Sequence, residues 1–186
     1  TPADCVRLAL CGLVPRPAWV LAGINAGGNL GMDLVHSGTA AAAREAALRG
    51  VPAVALSHYR ARGRVFDWPR AAGWARLVLE SILARPWTPG TFWNVNFPHL
   101  GPDDPEPAVI ACAVDPSPLP LSYRIADESE AAGAESRIYD GNYHGRARIA
   151  GRDVDVCFRG QIAVCRVPVG FGLVGPSLVN DDPPTP

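Results

Sequence analysis

The sequence contains no apolar run of the roughly 18 to 20 residues that a helix needs to cross a bilayer. It also shows no basic segment followed by an apolar one at its start, the pattern of a secretory leader. Neither sign of charge is in excess, because 17 arginine residues stand against 18 aspartate and glutamate residues. Proteins that bind duplex nucleic acid or an anionic membrane usually carry a positive field. We therefore expect neither among the partners, although a local site can still bind a small acidic molecule.

The cysteines include no C-x-x-C pair, and their number, five, is odd. A disulfide framework in a small secreted domain usually has an even number of cysteines. We interpret these residues as buried or half-buried thiols in a reducing cytoplasm, with a zinc site or a catalytic thiol as the less favoured alternative. The cysteines are Cys5, Cys11, Cys112, Cys157 and Cys165.

The first hundred residues alternate between patterns typical of helices and of strands. Thr1 can cap a helix whose first turn holds Pro2 and Asp4. This order predicts an α/β fold, with a mostly parallel sheet and helices on both of its faces. Ligands of such sheets bind at the carboxyl ends of the strands. The predicted strands cover residues 19–21, 51–56 and 92–97, and the further helices cover residues 40–49 and 67–85.

After residue 100 the pattern changes, and we interpret residues 101–169 as a β-rich C-terminal extension of the same domain. Segment 137–148 has mixed polarity and is a candidate for half of a hairpin. Residues 170–186 are dominated by glycine, proline, serine and aspartate, which predicts a flexible tail. The strands predicted in the extension cover residues 109–114, 154–158 and 162–167, the last two joined by residues 159–161.

A glycine-rich segment, residues 22–39, follows the first predicted strand and leads into a helix. Its glycines allow a close approach of the backbone to a ligand. Asn25, Asn29 and Asp33 recur at every fourth position. An asparagine side-chain oxygen is a hard, neutral ligand for Mg²⁺, Mn²⁺ or Ca²⁺. The segment is therefore a candidate metal site.

Ser37, Gly38 and Thr39 stand at the start of the predicted helix 40–49. Free backbone N–H groups and the helix dipole make such an end an anion site. Metal and phosphate chemistry within one segment would suit metal-assisted hydrolysis of a phosphate ester. An ordinary loop before a capped helix is the competing interpretation, because serine and threonine at this position most often serve as caps. Segment 27–33 also resembles a calcium β-roll repeat, but only one copy is present.

Residues 23–39 fit the pattern G-[IV]-N-x-G-x-N-x-G-x-D-x-x-x-S-G-T, and G-x-P-[AS]-[IV]-A-[VL]-S follows at residues 50–57. T-P-A-D-C-V at residues 1–6 and N-V-N-[LVF]-P at residues 94–98 stand in the same order along the chain. Together these segments resemble the SurE family of metal-dependent nucleotidases over about half of the chain. A motif of this length is far more specific than a lone glycine-rich loop.

The resemblance implies that Asn25 is a direct metal ligand and that Asn29, Ser37, Gly38 and Thr39 surround a phosphate. It implies a Rossmann-like core and hydrolysis of nucleoside monophosphates, as a 5′/3′-nucleotidase. It further implies a divalent cation, Mg²⁺ or Mn²⁺, and a homo-oligomer, either a dimer or a tetramer.

This chain departs from the family's usual pattern at two positions. Ala22 stands where serine is common, and His36 stands where tyrosine is common before S-G-T. His36 could contact a phosphate or a leaving group. The commoner outcome for a single histidine is a side chain that faces solvent or is satisfied in the core.

Proteins of the SurE family open with a strand that ends in N-D-D-G, whose aspartates bind the metal, and a serine ligand follows. None of this precedes Thr1, and one neutral asparagine cannot hold a divalent ion alone. We therefore expect an incomplete site, an incomplete N-terminal part of the sheet, and little activity of this chain alone. The alternatives are a non-catalytic scaffold of the same fold, or a nucleotide-binding regulatory module that uses the Ser37–Thr39 helix end.

Asn180, Asp181 and Asp182 echo the missing N-D-D-G motif, but Pro183 replaces its glycine. A circular permutation could bring the two carboxylates back to Asn25. A chance match in a mobile tail is the favoured interpretation.

Overall fold

The computed structural model describes residues 1–61, 63, 65–119, 122–126 and 136–170. Helices and strands alternate through the first hundred residues, as the sequence predicts. In chain order these elements are α1 (Pro2–Leu8), a π-helical turn (Ala9–Leu13), β1 (Val20–Ala26), a 3-10 turn (Gly31–Val35), α2 (Gly38–Leu48), β2 (Ala53–His58), α3 (Trp68–Leu83) and β3 (Thr91–Phe97). The elements that follow are β4 (Val109–Ala111), β5 (Tyr123–Ile125), β6 (Arg137–Tyr139), α4 (Asp153–Phe158) and β7 (Ile162–Pro168).

The main sheet has five strands in the order β1-β2-β3-β7-β4. Strands β1, β2 and β3 are parallel to one another, β7 runs antiparallel to β3, and β4 is parallel to β7. Strands β5 and β6 form a separate antiparallel hairpin, which confirms the predicted hairpin strand at its start. The fold is α/β and Rossmann-like, with a mostly parallel sheet.

Helices cover both faces of the sheet. Successive residues of β2 point to opposite sides, so alternate residues of this strand pack against different helices. On one face, Val54 packs with Trp74 and Val78 of α3. On the other face, Ala53 and Ala55 pack with the alanines of α2, whose small side chains allow a close approach. Every residue of β2 is buried, in agreement with the continuous apolar run at residues 51–56. None of the helices among the described residues is long and apolar enough to cross a membrane.

Segment 154–158 is a helix, so the prediction of a strand there was wrong. Residues 153–157 are all buried in this helix. Local acceptors decide the conformation: Asp153 accepts the N–H of Val154 at 2.9 Å, and Asp155 accepts the N–H of Gly151 at 2.9 Å. Asp155 also pairs with Arg159 one turn later, at 3.0 Å. These contacts outweigh the β propensity of the valines in this segment.

Several predicted boundaries also shift. Strand β1 continues to Ala26 instead of ending at residue 21, and β4 ends at Ala111 instead of residue 114. Strand β5 was not predicted. The division into a core at 1–100 and an extension at 101–169 stays a prediction. Of the predicted tail, residues 171–186 lie outside the described residues, and Asp181 and Asp182 lie there too.

Candidate active site

Three polar residues lie in one row across the carboxyl ends of the parallel strands. Asn25 of β1 is in register with Ser57 of β2, and Ser57 is in register with Asn96 of β3. The prediction placed Asn25 in a loop, but it belongs to the end of β1. The row joins the three motifs that the sequence separates by dozens of residues.

A glycine allows β1 to approach β2 just before this row. The register of the two strands shifts between Ala22 and Asn25. Gly23 has φ +121°, and a Cβ atom there would lie 2.2 Å from the carbonyl oxygen of Leu56. A side chain at this position would therefore push β1 away from β2.

Asn29 is the centre of a buried hydrogen-bond network. Its backbone N–H donates to Oδ1 of Asn96 at 2.8 Å. Its carbonyl oxygen accepts from the amide groups of Asn94 and Asn96, each at 3.0 Å. Its own amide donates to the Ser57 hydroxyl at 2.6 Å. All four residues are buried, so the two asparagines of N-V-N and Ser57, near the end of β2, fix this loop on the sheet edge.

Asn25 is half-buried at the start of the same loop. Its amide Nδ2 donates to the carbonyl oxygen of Gly27 at 2.8 Å. The N–H of Gly27 in turn donates to the carbonyl oxygen of His58 at 3.0 Å. The first turn of the loop is thus held to the end of β2 by main-chain contacts.

Residues near the C-terminal end of the described chain hold the loop from behind. Arg146 donates to the carbonyl oxygen of Leu30 at 3.0 Å and to the carboxylate of Asp33 at 3.2 Å. The hydroxyl of Tyr143 donates to the same carboxylate oxygen of Asp33. The Arg146 side chain is only 2% exposed, so this ion pair is almost dry. The Asp33 carboxylate therefore binds residues inside the protein, although Asp33 continues the four-residue spacing of Asn25 and Asn29.

Asp153 provides a second anchor for the loop. Its carboxylate accepts the N–H groups of Gly31 at 2.8 Å and of Asp115 at 2.7 Å. The residue is fully buried, and burial raises the pKa of this carboxyl above its usual value although backbone N–H groups oppose that shift. Sequence reasoning missed Tyr143, Arg146 and Asp153. Asp153 stands between Arg152 and Val154 in a segment of mixed polarity, and no local pattern marks it as an anchor.

The predicted phosphate-binding residues Ser37, Gly38 and Thr39 form the start of α2. The Ser37 hydroxyl accepts the N–H of Ala40 at 3.0 Å, so Ser37 is the helix cap. A Cβ atom on Gly38 would lie 3.2 Å from the Pro2 ring, which shows that the start of α1 packs closely here. Thr39 and Gly23 line the same groove beside β1, of about 590 Å³. Within the described part of the chain, no hydrogen bond joins this helix end to Asn25 or Asn29.

His36 is exposed and ends the 3-10 turn, where its N–H donates to the carbonyl oxygen of Asp33 at 3.1 Å. It therefore faces solvent and is not part of the core. A different histidine, His58, is buried at the end of β2, where its ring makes edge contacts with Phe66 and Trp68. Burial, followed by the charge of His99, lowers the pKa of His58 below its usual value.

A cavity of about 480 Å³ opens at the same edge of the sheet. Tyr59 forms part of its wall, and a Cβ atom on Gly28 would lie 3.4 Å from the Tyr59 Cβ. The hydroxyl of Tyr59 and Nδ1 of His144 lie 2.8 Å apart, and the His144 ring stacks on Phe158. The glycine-rich loop and this cavity therefore share Tyr59 as a common wall.

The residues at this edge do not make a complete metal centre. Across the described ranges, no group of three or more histidine, cysteine, aspartate or glutamate residues could hold a metal ion. The carboxylate of Asp153 is already engaged by backbone N–H groups, and Oδ2 of Asp33 is engaged by Arg146 and Tyr143. Asn25 alone supplies one neutral oxygen, whereas hard divalent cations take several oxygen ligands, usually with carboxylate charge. The donor set found here therefore does not fit a divalent cation by itself.

Comparison with known proteins gives consistent matches along the chain. Residues 1–114 match the family described as "Survival protein SurE". The alr3139 protein of Nostoc sp. is 48% identical over 169 residues, which are 91% of this chain and 72% of that protein. The protein named 5′-nucleotidase SurE of Myxococcus xanthus is 36% identical over 97% of this chain and 67% of its own length.

The fold also has a solved counterpart. The crystal structure of the SurE protein from Aquifex aeolicus superposes with a TM-score of 0.70 at 24% identity. The match covers 92% of this chain and 68% of that protein. These matches, together with the four motifs that the structure brings to one sheet edge and the helix beside it, show that the chain belongs to the SurE family.

Proposed function

We propose that this chain is part of a metal-dependent phosphatase that hydrolyses nucleoside monophosphates. The observation that carries the proposal is the buried network around Asn29, which fixes a glycine-rich loop over the carboxyl ends of three parallel strands. Ligands bind at this edge in sheets of this kind. Relatives named 5′-nucleotidase SurE support the substrate class.

In this proposal, the loop and the start of α2 bind the phosphate group. Asn29, Ser37, Gly38 and Thr39 would surround it, with backbone N–H groups and the Thr39 hydroxyl as donors. Ser37 keeps the helix end ordered as its cap, and the helix dipole adds to the attraction for an anion. Donors that are fixed in advance stabilise developing charge without reorganisation, which is why the buried anchors matter for catalysis.

Asn25 would contribute one ligand to a Mg²⁺ or Mn²⁺ ion. The carboxylate ligands that such an ion needs would come from residues other than the described ones. We further propose that the protein is cytoplasmic and acts as a dimer or tetramer. Sedimentation analysis would check the oligomeric state.

A second candidate function follows from the absence of a carboxylate cluster in the described residues. The chain would then be a nucleotide-binding module, or a scaffold without catalysis, that retains the fold of the family. Such a protein would bind nucleotides through the start of α2, or not at all, and its behaviour would not depend on a metal.

The experiment is a measurement of phosphate release from nucleoside monophosphates with Mg²⁺, with Mn²⁺ and with a chelator. It should use the 186-residue chain and a form that also carries whatever residues are encoded upstream of Thr1. We expect metal-dependent release from a form that adds an N-D-D-G strand, and little from the chain alone. If the chain binds nucleotides without turnover, and a chelator does not change the binding, the nucleotide-binding module replaces this proposal. If it shows no binding and no turnover, the non-catalytic scaffold replaces it.

A further inference from the structure

Two cysteines face each other across neighbouring strands of the sheet. The Sγ atoms of Cys112 and Cys165 lie 3.6 Å apart. Cys165 is in β7, and Cys112 follows the last residue of β4 directly. Since Ala111 is in register with Val164, Cys112 and Cys165 continue the same parallel pairing. The N–H of Cys112 still donates to the carbonyl oxygen of Val164, at 3.1 Å, so the backbone is paired up to this point.

This backbone arrangement suits a disulfide. Neighbouring strands lie about 4.7 to 4.9 Å apart, and the Cα atoms of a disulfide are separated by roughly 4.4 to 6.8 Å. Side-chain rotation alone can therefore bring the two sulfurs together, without a shift of either strand.

The two thiols differ in exposure and in pKa, so each would have a separate role in oxidation. Cys112 is half-buried, whereas Cys165 is only 1% exposed. The hydrogen bond from Cys165 lowers the pKa of Cys112, while the same bond and burial raise the pKa of Cys165. An oxidant would therefore meet Cys112 first, because the accessible thiol with the more stable thiolate is the more reactive one.

We propose that Cys112 and Cys165 are a redox site, at which a peroxide forms a reversible disulfide. The Cys112 thiolate attacks one peroxide oxygen, the O–O bond breaks, and Cys112 becomes a sulfenic acid as the other oxygen leaves and takes up a proton. Cys165 then loses its proton and attacks the Cys112 sulfur, and the S–O bond breaks with release of water. For hydrogen peroxide, two thiols and one peroxide give one disulfide and two waters. A dithiol reductant reverses the change by thiol–disulfide exchange.

The disulfide would stabilise a weakly held edge of the sheet near the loop anchor. Strand β4 has three residues, all exposed, and its partner in the sheet is β7. The residue after Cys112, Ala113, accepts the N–H of Asp153 through its carbonyl oxygen at 3.0 Å. Asp153 in turn holds Gly31. Oxidation would thus restrain the segment that carries the anchor of the glycine-rich loop.

The other cysteines provide the background and the control for a test. Cys5 and Cys11 are exposed, so both should be replaced by serine to prevent links between molecules. Cys157 is buried, and its Sγ donates to the carbonyl oxygen of Phe97 at 3.7 Å. It is a matched control, because like Cys165 it is a buried thiol, but it has no sulfur partner at that distance among the described residues.

The test is peptide mapping by mass spectrometry, without reductant, of the Cys5→Ser, Cys11→Ser chain after treatment with hydrogen peroxide. We expect a peptide linked through Cys112 and Cys165, a thermal midpoint raised by several degrees, and full reversal by dithiothreitol. Cys157→Ser should behave in the same way. Cys165→Ala should leave a sulfenic acid on Cys112 that dimedone traps.

Three outcomes would overturn the proposal: persistence of both thiols, a link from Cys112 to Cys157, or direct oxidation of Cys112 to a sulfinic acid in the chain that retains Cys165. Cys112 and Cys165 are both intact in the mapped chain, so a folding defect of Cys157→Ser or Cys165→Ala does not affect the main result. The proposal is also independent of the nucleotidase activity.

Discussion

The buried carboxylate of Asp153 accepts the backbone N–H of Gly31 at 2.8 Å, across 122 positions of the chain. Gly31 has φ +57°, and a Cβ atom there would lie 2.9 Å from the carbonyl oxygen of Asp115. The loop thus passes so close to the segment behind it that only glycine fits. The position of the candidate phosphate-binding loop is therefore set by the sheet below it and by the C-terminal segment behind it.

The pair Arg146–Asp33 should be the most sensitive point of this support. Replacing Arg146 by methionine keeps much of the side-chain volume but leaves the Asp33 carboxylate buried without its cation. Breaking a buried pair in this way costs about 3 to 5 kcal/mol. Urea denaturation of Arg146→Met should show a loss of this size.

The matched control for this prediction is Arg148→Met, because Arg148 is 35% exposed and pairs with Asp155 at 3.5 Å. That variant should change the free energy of unfolding by less than about 1 kcal/mol. Equal losses in the two variants would show that Arg146 does not hold the loop in the way its contacts indicate.

How much of this site could be predicted from the sequence depends on the distance between partners. Asn25, Asn29 and Ser37 stand in one short motif, and local patterns such as the apolar run of β2 predict the strands. Tyr143 and Arg146 reach Asp33 across 110 and 113 positions, and no periodicity signals such a contact. The buried network around Asn29 is likewise formed by the sheet, which places Ser57 beside Asn29.

Alanine substitutions of Gly23 and Gly73 should have opposite effects on the stability of the protein. Alanine at Gly23 should destabilise the protein, because the new Cβ would lie 2.2 Å from a backbone oxygen and φ is +121°. Alanine at Gly73, in the middle of α3 with nothing within 4 Å, should stabilise it by about 0.5 to 1 kcal/mol. Thermal denaturation of both variants checks the signs, and destabilisation by Gly73→Ala would contradict the second.

Two substitutions of Ser37 distinguish its role as a helix cap from its role in phosphate binding. Ser37→Ala removes the acceptor for the Ala40 N–H and should cost about 1 kcal/mol of stability. Ser37→Asp keeps a good cap and should retain stability, but its charge should repel a phosphate at the same helix end. Titration with inorganic phosphate should therefore show weaker binding in Ser37→Asp than in the parent chain. Unchanged phosphate binding in this variant would place the anion elsewhere.

Asn25 should matter for turnover and little for stability. Its side chain has a hydrogen bond to Gly27, two residues away, and is not part of the buried network. In a form with a complete metal site, Asn25→Ala should reduce metal-dependent phosphate release by orders of magnitude, with an unchanged thermal midpoint. Asn94→Ala is the contrasting variant, because it removes a buried donor to Asn29 and should lower stability as well. Full turnover in Asn25→Ala would exclude Asn25 as a ligand.

Glu45 should make the docking of α1 on α2 sensitive to pH. Its carboxylate accepts from Arg7 at 3.0 and 3.1 Å and from Arg49 at 2.6 Å. These hydrogen bonds, that of Arg7 first, lower the pKa of Glu45 below its usual value. A group with a lowered pKa in the folded state stabilises the protein above its unfolded pKa, and this contribution is lost as the pH falls through the folded value.

The variant Glu45→Gln should therefore be less stable than the parent at pH 7, and the difference should shrink below about pH 4, near the unfolded pKa of a glutamate. Glu80→Gln is the matched control, because Glu80 is 66% exposed and lies 4.0 Å from Arg76. It should follow the parent at every pH. Urea denaturation from pH 3 to pH 7 measures both differences, and a Glu45→Gln deficit that persisted unchanged at pH 3 would mean that packing, and not the charge of Glu45, holds α1 on α2.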